Sequence, residues 1–258
     1  GTAGKTETWY LHVLATAASG ASTHTYQPFS FMLPTITEVA VRAGSAASDE
    51  VVADVWKPEK YIVMQYAGAQ SGTNITFGGP TSSSTTITKS SGTTSLKITK
   101  NGTYTVTLTD SYGNVISKTI EVKKIDAKKP AVTIRSGSST GEETIYNNLT
   151  LGVFPEDTGG SGIEKVEYAW SDTKGTPSTW KILTADADGS YTAEYTAKEA
   201  VKTQQYLQVR VKDVAGNVSE VVMSGPYNVI KKASGTALPS IGVTGNPASW
   251  TNSAVLTW

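Results

Sequence analysis

Oxygen-bearing side chains recur at one spacing in this chain. Asp110, Gly113 and Asn114 stand in "TDSYGNV", and Asp213, Gly216 and Asn217 stand in "KDVAGNV". Two chemistries use such a set. Carboxylate and amide oxygens at short spacing are calcium donors. The same residues also build a tight turn: Asp accepts from backbone N–H groups two residues on, Gly takes a positive φ, and Asn tolerates the same region. A third copy discriminates between them. "AASGA" at 17–21 keeps Gly20 and loses both oxygen-bearing side chains. A turn survives that loss, whereas a metal site does not. One carboxylate per copy also falls short of the roughly six to eight oxygens that calcium takes. The six residues are therefore expected to be structural turn residues.

Other groups offer different chemistry. Glu156 and Asp157, with Ser161, precede "GIEKVEYAW" and belong to a loop at one end of a domain. Carboxylates there are candidate calcium ligands that would stiffen a tandem array, and the plainer alternative is a Gly-rich turn with a capping Asp. No cofactor is expected, calcium at these carboxylates being the one candidate. Trp56, Trp180, Tyr191 and Tyr195 are candidate rings for stacking on sugars, although Tyr scattered along strands also follows from β-propensity. Trp170 falls where sandwiches bury an aromatic against the opposite sheet and is expected in the core. His12 and His24 are the only imidazoles, and neither a Gly-x-Ser-x-Gly elbow nor a catalytic carboxylate pair accompanies them. The absence of cysteine removes thiolate zinc sites and thiol nucleophiles. No enzyme is expected.

The elements that must position these residues are strands. Helical periodicity is confined to "AKEAVKTQQ" (197–205); elsewhere apolar residues alternate with polar ones between Gly, Asn, Asp and Pro clusters. "IEKVEYAW" places Val166, Tyr168 and Trp170 on one face and Lys165, Glu167 and Ala169 on the other. "GGPTSSSTTITKSSGTTS" (78–95) reads as a flexible loop or a short Thr-rich edge strand. Lys plus Arg equal Asp plus Glu at 22 each, which argues against a nucleic-acid partner. No apolar run approaches the roughly 20 residues of a membrane span, so no membrane insertion is expected.

The alternating segments repeat. In register, Leu11/Val13/Ala15, Tyr104/Val106/Leu108 and Leu207/Val209/Val211 take the inward positions. Opening prolines Pro34, Pro130 and Pro239 lie about 100 residues apart, the size of an immunoglobulin-like sandwich. The expected fold class is all-β, with tandem immunoglobulin-like Greek-key β-sandwiches and truncated repeats at both ends. The parse is a closing part of a repeat (1–33), complete sandwiches at 34–126 and 129–232, and opening strands of another repeat (236–258).

"DTGGSGIEKVEYAWS", then "YLQVRVKDVAGNVS", "GPYNV" and a Lys-rich link to Pro-x-Ile, resembles the tandem bacterial immunoglobulin-like repeats of large secreted or cell-surface proteins. The resemblance is good over 130–231 and fair over 93–126, and residues 36–92 match poorly. It implies an extracellular location, secreted or attached to the cell wall, and a non-catalytic spacer whose partners are its neighbouring repeats. The alternative is a polysaccharide- or cell-surface-binding module centred on 36–92, with cell-wall or host glycans as partners. A third class is head-to-tail self-association through strand edges left by the partial repeats.

Overall fold

The computed structural model describes residues 6–137 and 143–232. The opening strands expected at 236–258 lie outside the described residues. Every regular element among those described is a β-strand. None is a helix long and apolar enough to cross a membrane.

β1 (Thr6–Thr16) and β2 (Ser22–Met32) form an antiparallel hairpin. Its turn is closed by Ala17 N–H to the Ala21 carbonyl at 2.7 Å and Gly20 N–H to the Ala17 carbonyl at 2.9 Å, with Gly20 at φ 83°. Leu11 and Val13, read as inward, are 53% and 46% exposed, because no second sheet among the described residues covers them.

Seven strands make the sandwich over 34–126: β3 (Thr35–Arg42), β4 (Lys60–Ala67), β5 (Thr73–Gly78), β6 (Ser83–Ile87), β7 (Gly92–Ile98), β8 (Gly102–Thr109) and β9 (Val115–Val122). One sheet has the order β3-β4-β7 and the other β6-β5-β8-β9. Pairing β4 with β7 and β5 with β8, rather than with sequence neighbours alone, is the Greek-key crossing between sheets. Period-two alternation places Ile62, Met64, Ile75, Phe77, Tyr104, Val106 and Leu108 in one buried cluster. The buried Tyr104 donates its hydroxyl to the Lys100 carbonyl at 2.9 Å, fixing the entry to β8. The Ser/Thr-rich stretch is the edge strand β6 and the start of β7. Residues 51–58 form turns and isolated bridges, and only Val52 among them is buried.

The second set is β10 (Ala131–Ser136), β11 (Thr144–Tyr146), β12 (Asn148–Glu156), β13 (Ile163–Ser171), β14 (Lys181–Leu183), β15 (Tyr191–Thr196), β16 (Thr203–Asp213) and β17 (Val222–Ile230). Its sheets run β10-β12-β15 and β11-β17-β16-β13-β14. The same strand order recurs, with β11 added parallel to β17. This is the immunoglobulin-like arrangement, twice over. Residues 197–202 form no helix: they lead as bends and irregular chain into β16. The face of β13 also departs from strict alternation. Val166 and Ala169 are its buried positions, and Tyr168 and Trp170 are half-buried.

By compactness the chain divides differently from the repeat. Among the described residues, one unit contains 6–133, 155–167 and 210–221, and the other 134–137, 143–154, 168–209 and 222–232. The loops that bear Asp157 and Asp213 thus belong with the linker after β9.

Candidate functional site: an aspartate cluster on the linker

The two Asp-x-x-Gly-Asn segments fold alike. In each, the Asp N–H donates to the Asn carbonyl at 3.0 Å and the Gly N–H to the Asp carbonyl at 3.1 Å. Each Asp carboxylate accepts twice from its Asn. Asn114 gives 2.8 Å from N–H and 2.7 Å from Nδ2, and Asn217 gives 2.7 and 2.8 Å. Gly113 and Gly216 sit at φ 88° and 101°. The backbone bonds match those of the 17–21 turn, so the side-chain pair reinforces a turn that forms without it.

Position then separates the two copies. Asp213 is fully buried and lies beside Asp126 and Asp157, with one carboxylate oxygen of each within 4.8 Å of the others. Glu156 is exposed and is not part of this group. Each carboxylate is held by hydrogen bonds. Asp126 accepts from Lys128 N–H at 3.0 Å and Ser161 N–H at 3.1 Å; Asp157 accepts from Gly159 N–H at 2.9 Å and Gly162 N–H at 2.6 Å. Burial opposes ionisation of Asp157, but the Gly159, Gly162 and Gly160 amides and the Ser161 hydroxyl outweigh it and hold its carboxyl below the ordinary range. Gly159 is needed for close approach: a Cβ there would overlap the Asp126 carboxylate.

The donor set suits a hard cation chemically. Calcium–oxygen bonds of about 2.3–2.6 Å let one ion span oxygens up to roughly 5 Å apart. The Asp126 and Asp213 oxygens each keep a lone pair beyond the hydrogen bond described, whereas Asp157 Oδ2 already accepts from both Gly162 N–H and the Ser161 hydroxyl. Among the described residues, no ion pair neutralises the three aspartates. Asp126 was missed in the sequence because "KKIDAKKP" reads as a solvated linker. Its partners are remote in sequence, with Asn217 lying 91 positions away.

The same linker is fastened along its length. Lys57 and Ile125 form a parallel bridge, and Asp126 N–H donates to the Lys57 carbonyl at 3.0 Å. Asn101 holds Ile125 from both sides, Nδ2 donating to its carbonyl at 2.9 Å and Oδ1 accepting its N–H at 2.8 Å. The buried Lys60 ammonium donates to the Lys123 carbonyl at 2.7 Å and the Ala53 carbonyl at 3.2 Å, and burial lowers its pKa. Asn217 Nδ2 donates to the Asp126 carbonyl at 2.8 Å. Linker residues 123–128 are therefore ordered by strand-end residues and by the 157–162 and 213–217 loops.

Of the proposed sugar-stacking rings, one lines a cleft. A 570 Å³ hollow is bordered by Tyr168, Trp170, Lys181, Glu194, Tyr195 and Gln205, among others. Trp170 packs on Tyr195 at 5.2 Å between ring centroids, tilted by 57°, and donates Nε1–H to the Glu194 carbonyl at 3.0 Å. Trp170, expected in the core against the opposite sheet, reaches Tyr195 and Glu194 of β15 there but is only half-buried, and forms a wall of this cleft. Trp56, Trp180 and Tyr191 are half-buried and do not border it.

Comparison with known proteins adds the following. No family model matches the sequence, and no curated protein matches it significantly. Solved structures do match. The chain is similar to the fibronectin(III)-like modules of CbhA from Clostridium thermocellum, at 19% identity and a TM-score of 0.32, covering 78% of this chain and 94% of that one. It is similar to part of a 1.5-MDa bacterial ice-binding adhesin, at 19% identity and a TM-score of 0.37, covering 86% and 74%. A chimeric titin Z1Z2 tandem matches at 13% identity and a TM-score of 0.25, covering 78% and 100%. At these identities and scores, it is the strand order itself that defines the chain as tandem immunoglobulin-like sandwiches.

Proposed function

We propose that the chain is a non-catalytic extracellular spacer built of immunoglobulin-like repeats, part of a bacterial surface or secreted protein. The observation that carries this is the fastening of linker 123–128 by Asn101, Lys60, Lys57 and Asn217. A passive connector between modules leaves its backbone to water, whereas this one has its amides and carbonyls bound by protein. Calcium is the cation expected at Asp126, Asp157 and Asp213, where it would offset most of the charge of three carboxylates and tie the linker to both loops. Glu156 has no part in that site.

A second reading has its own observation. The Trp170–Tyr195 cleft pairs aromatic faces with Lys181, Glu194 and Gln205, the mixture that suits a sugar ring. On this reading glycan binding would centre on 168–205. A retention assay on purified cell-wall and plant polysaccharides, with and without calcium, separates the two. The spacer reading expects no saturable retention on any polymer. Saturable retention that Trp170→Ala abolishes would replace it with the binding module.

A further inference from the structure

The two histidines of the chain stand nitrogen to nitrogen. His12 Nδ1 and His24 Nε2 are 3.1 Å apart, and the rings lie nearly parallel at 13°, with centroids 5.2 Å apart. The β1–β2 register explains the meeting. His12 pairs with Tyr26 and His24 with Leu14, so the histidines are diagonal neighbours on one face of the hairpin. Tyr10 and Tyr26 flank them, with Tyr26 6.2 Å from His12 and 5.8 Å from Tyr10.

This face is the outward one. Leu11 and Val13 point to the opposite side, in the positions where Tyr104 and Val106 or Leu207 and Val209 are fully buried. On β8 and β9 the outward positions carry exposed hydroxyl pairs, Thr105 with Thr119 at 3.4 Å and Thr107 with Ser117 at 3.0 Å. In the repeat register the histidines stand at the positions of Thr105 and Ser117, one member of each pair, and bring two metal-binding nitrogens there.

From this geometry we infer that His12 and His24 form a two-imidazole site for a divalent transition metal such as Zn(II) or Cu(II). A metal about 2.0–2.1 Å from each nitrogen subtends roughly 100° across the 3.1 Å separation. That lies between octahedral and tetrahedral angles, so one ion replaces the shared proton once each exposed ring turns by about 40° to aim its lone pair off the N–N line. Imidazole suits Zn, Cu and Ni, and Cu(II) binds tightest in that series. Water fills the remaining positions, and the ion staples β1 to β2.

The test is zinc stoichiometry of the full chain, without a histidine tag, for the natural sequence and for His12→Gln, His24→Gln and the double variant. The substitutions are exposed, and a far-ultraviolet spectrum checks that the fold persists. Zinc held by the aspartate cluster is common to all four proteins. The expected result is that each single variant and the double variant lose the same one equivalent. Cu(II) paramagnetic resonance should show two nitrogen couplings in the natural sequence. Unchanged stoichiometry, loss in one single variant only, or a greater loss in the double variant than in either single would overturn the shared site.

Discussion

Among single residues, Asp110 and Asp213 provide an internal control. They make the same turn bonds to Asn114 and Asn217, and only Asp213 joins Asp126 and Asp157. Replacing either with Ala leaves an Asn amide without its acceptor, at a cost of about 1–2 kcal/mol. Calcium should raise the thermal midpoint of the natural chain and of Asp110→Ala, and should leave Asp213→Ala unmoved. A calcium shift retained in Asp213→Ala, measured by scanning calorimetry, would remove the ion from this cluster. Acid should act through neighbouring carboxylates. Asp157 is held below the ordinary range by amide donors. Burial opposes ionisation of Glu167, which Lys165 at 2.7 Å and Arg210 at 2.8 Å outweigh. Groups with depressed folded pKa values stabilise the fold above the unfolded values near about 4. That stability is present at neutral pH and is lost as pH falls through the folded values. Glu167→Gln should flatten the acid limb of a midpoint-against-pH curve, and an unaltered limb would contradict the role.

Individual strands owe their placement to alternation where packing is regular. β8 is legible because Tyr104, Val106 and Leu108 alternate with threonines, and all three are fully buried. Tyr104→Phe keeps that burial and removes the bond to the Lys100 carbonyl, so chemical denaturation should show a loss of about 1 kcal/mol. No change in denaturation midpoint would make the hydroxyl incidental. On β13 alternation gives the direction of Trp170, which reaches Tyr195 and Glu194 of β15 in the opposite sheet, but not its half-burial. The cleft beside it is walled by residues of β13, β14, β15 and β16 and had no local signal. The turns were legible in full because Gly20, Gly113 and Gly216 each mark a positive φ that other residues adopt at a cost.

For the molecule as a whole, repetition revealed the all-β class, and the strand order β3-β4-β7 with β6-β5-β8-β9 recurs in the second set. The aspartate cluster was only partly visible. Asp157 stood out beside its glycines, Asp213 was assigned to a turn alone, and Asp126 looked like linker. Proximity across the fold, rather than spacing along the chain, makes them one group. Gly159 connects the scales: Gly159→Ala would push a methyl group into the Asp126 carboxylate and should abolish the calcium shift that the natural chain shows.

The central claim is a linker fixed by the protein around it, and amide hydrogen exchange resolved over 123–129 tests it most directly. The amides of Ile125, Asp126 and Lys128 donate to Asn101 Oδ1, the Lys57 carbonyl and Asp126 Oδ1. They should exchange far more slowly than free chain, and more slowly still with calcium. Exchange at the free-chain rate, with and without calcium, would make this segment an ordinary flexible connector and contradict the spacer.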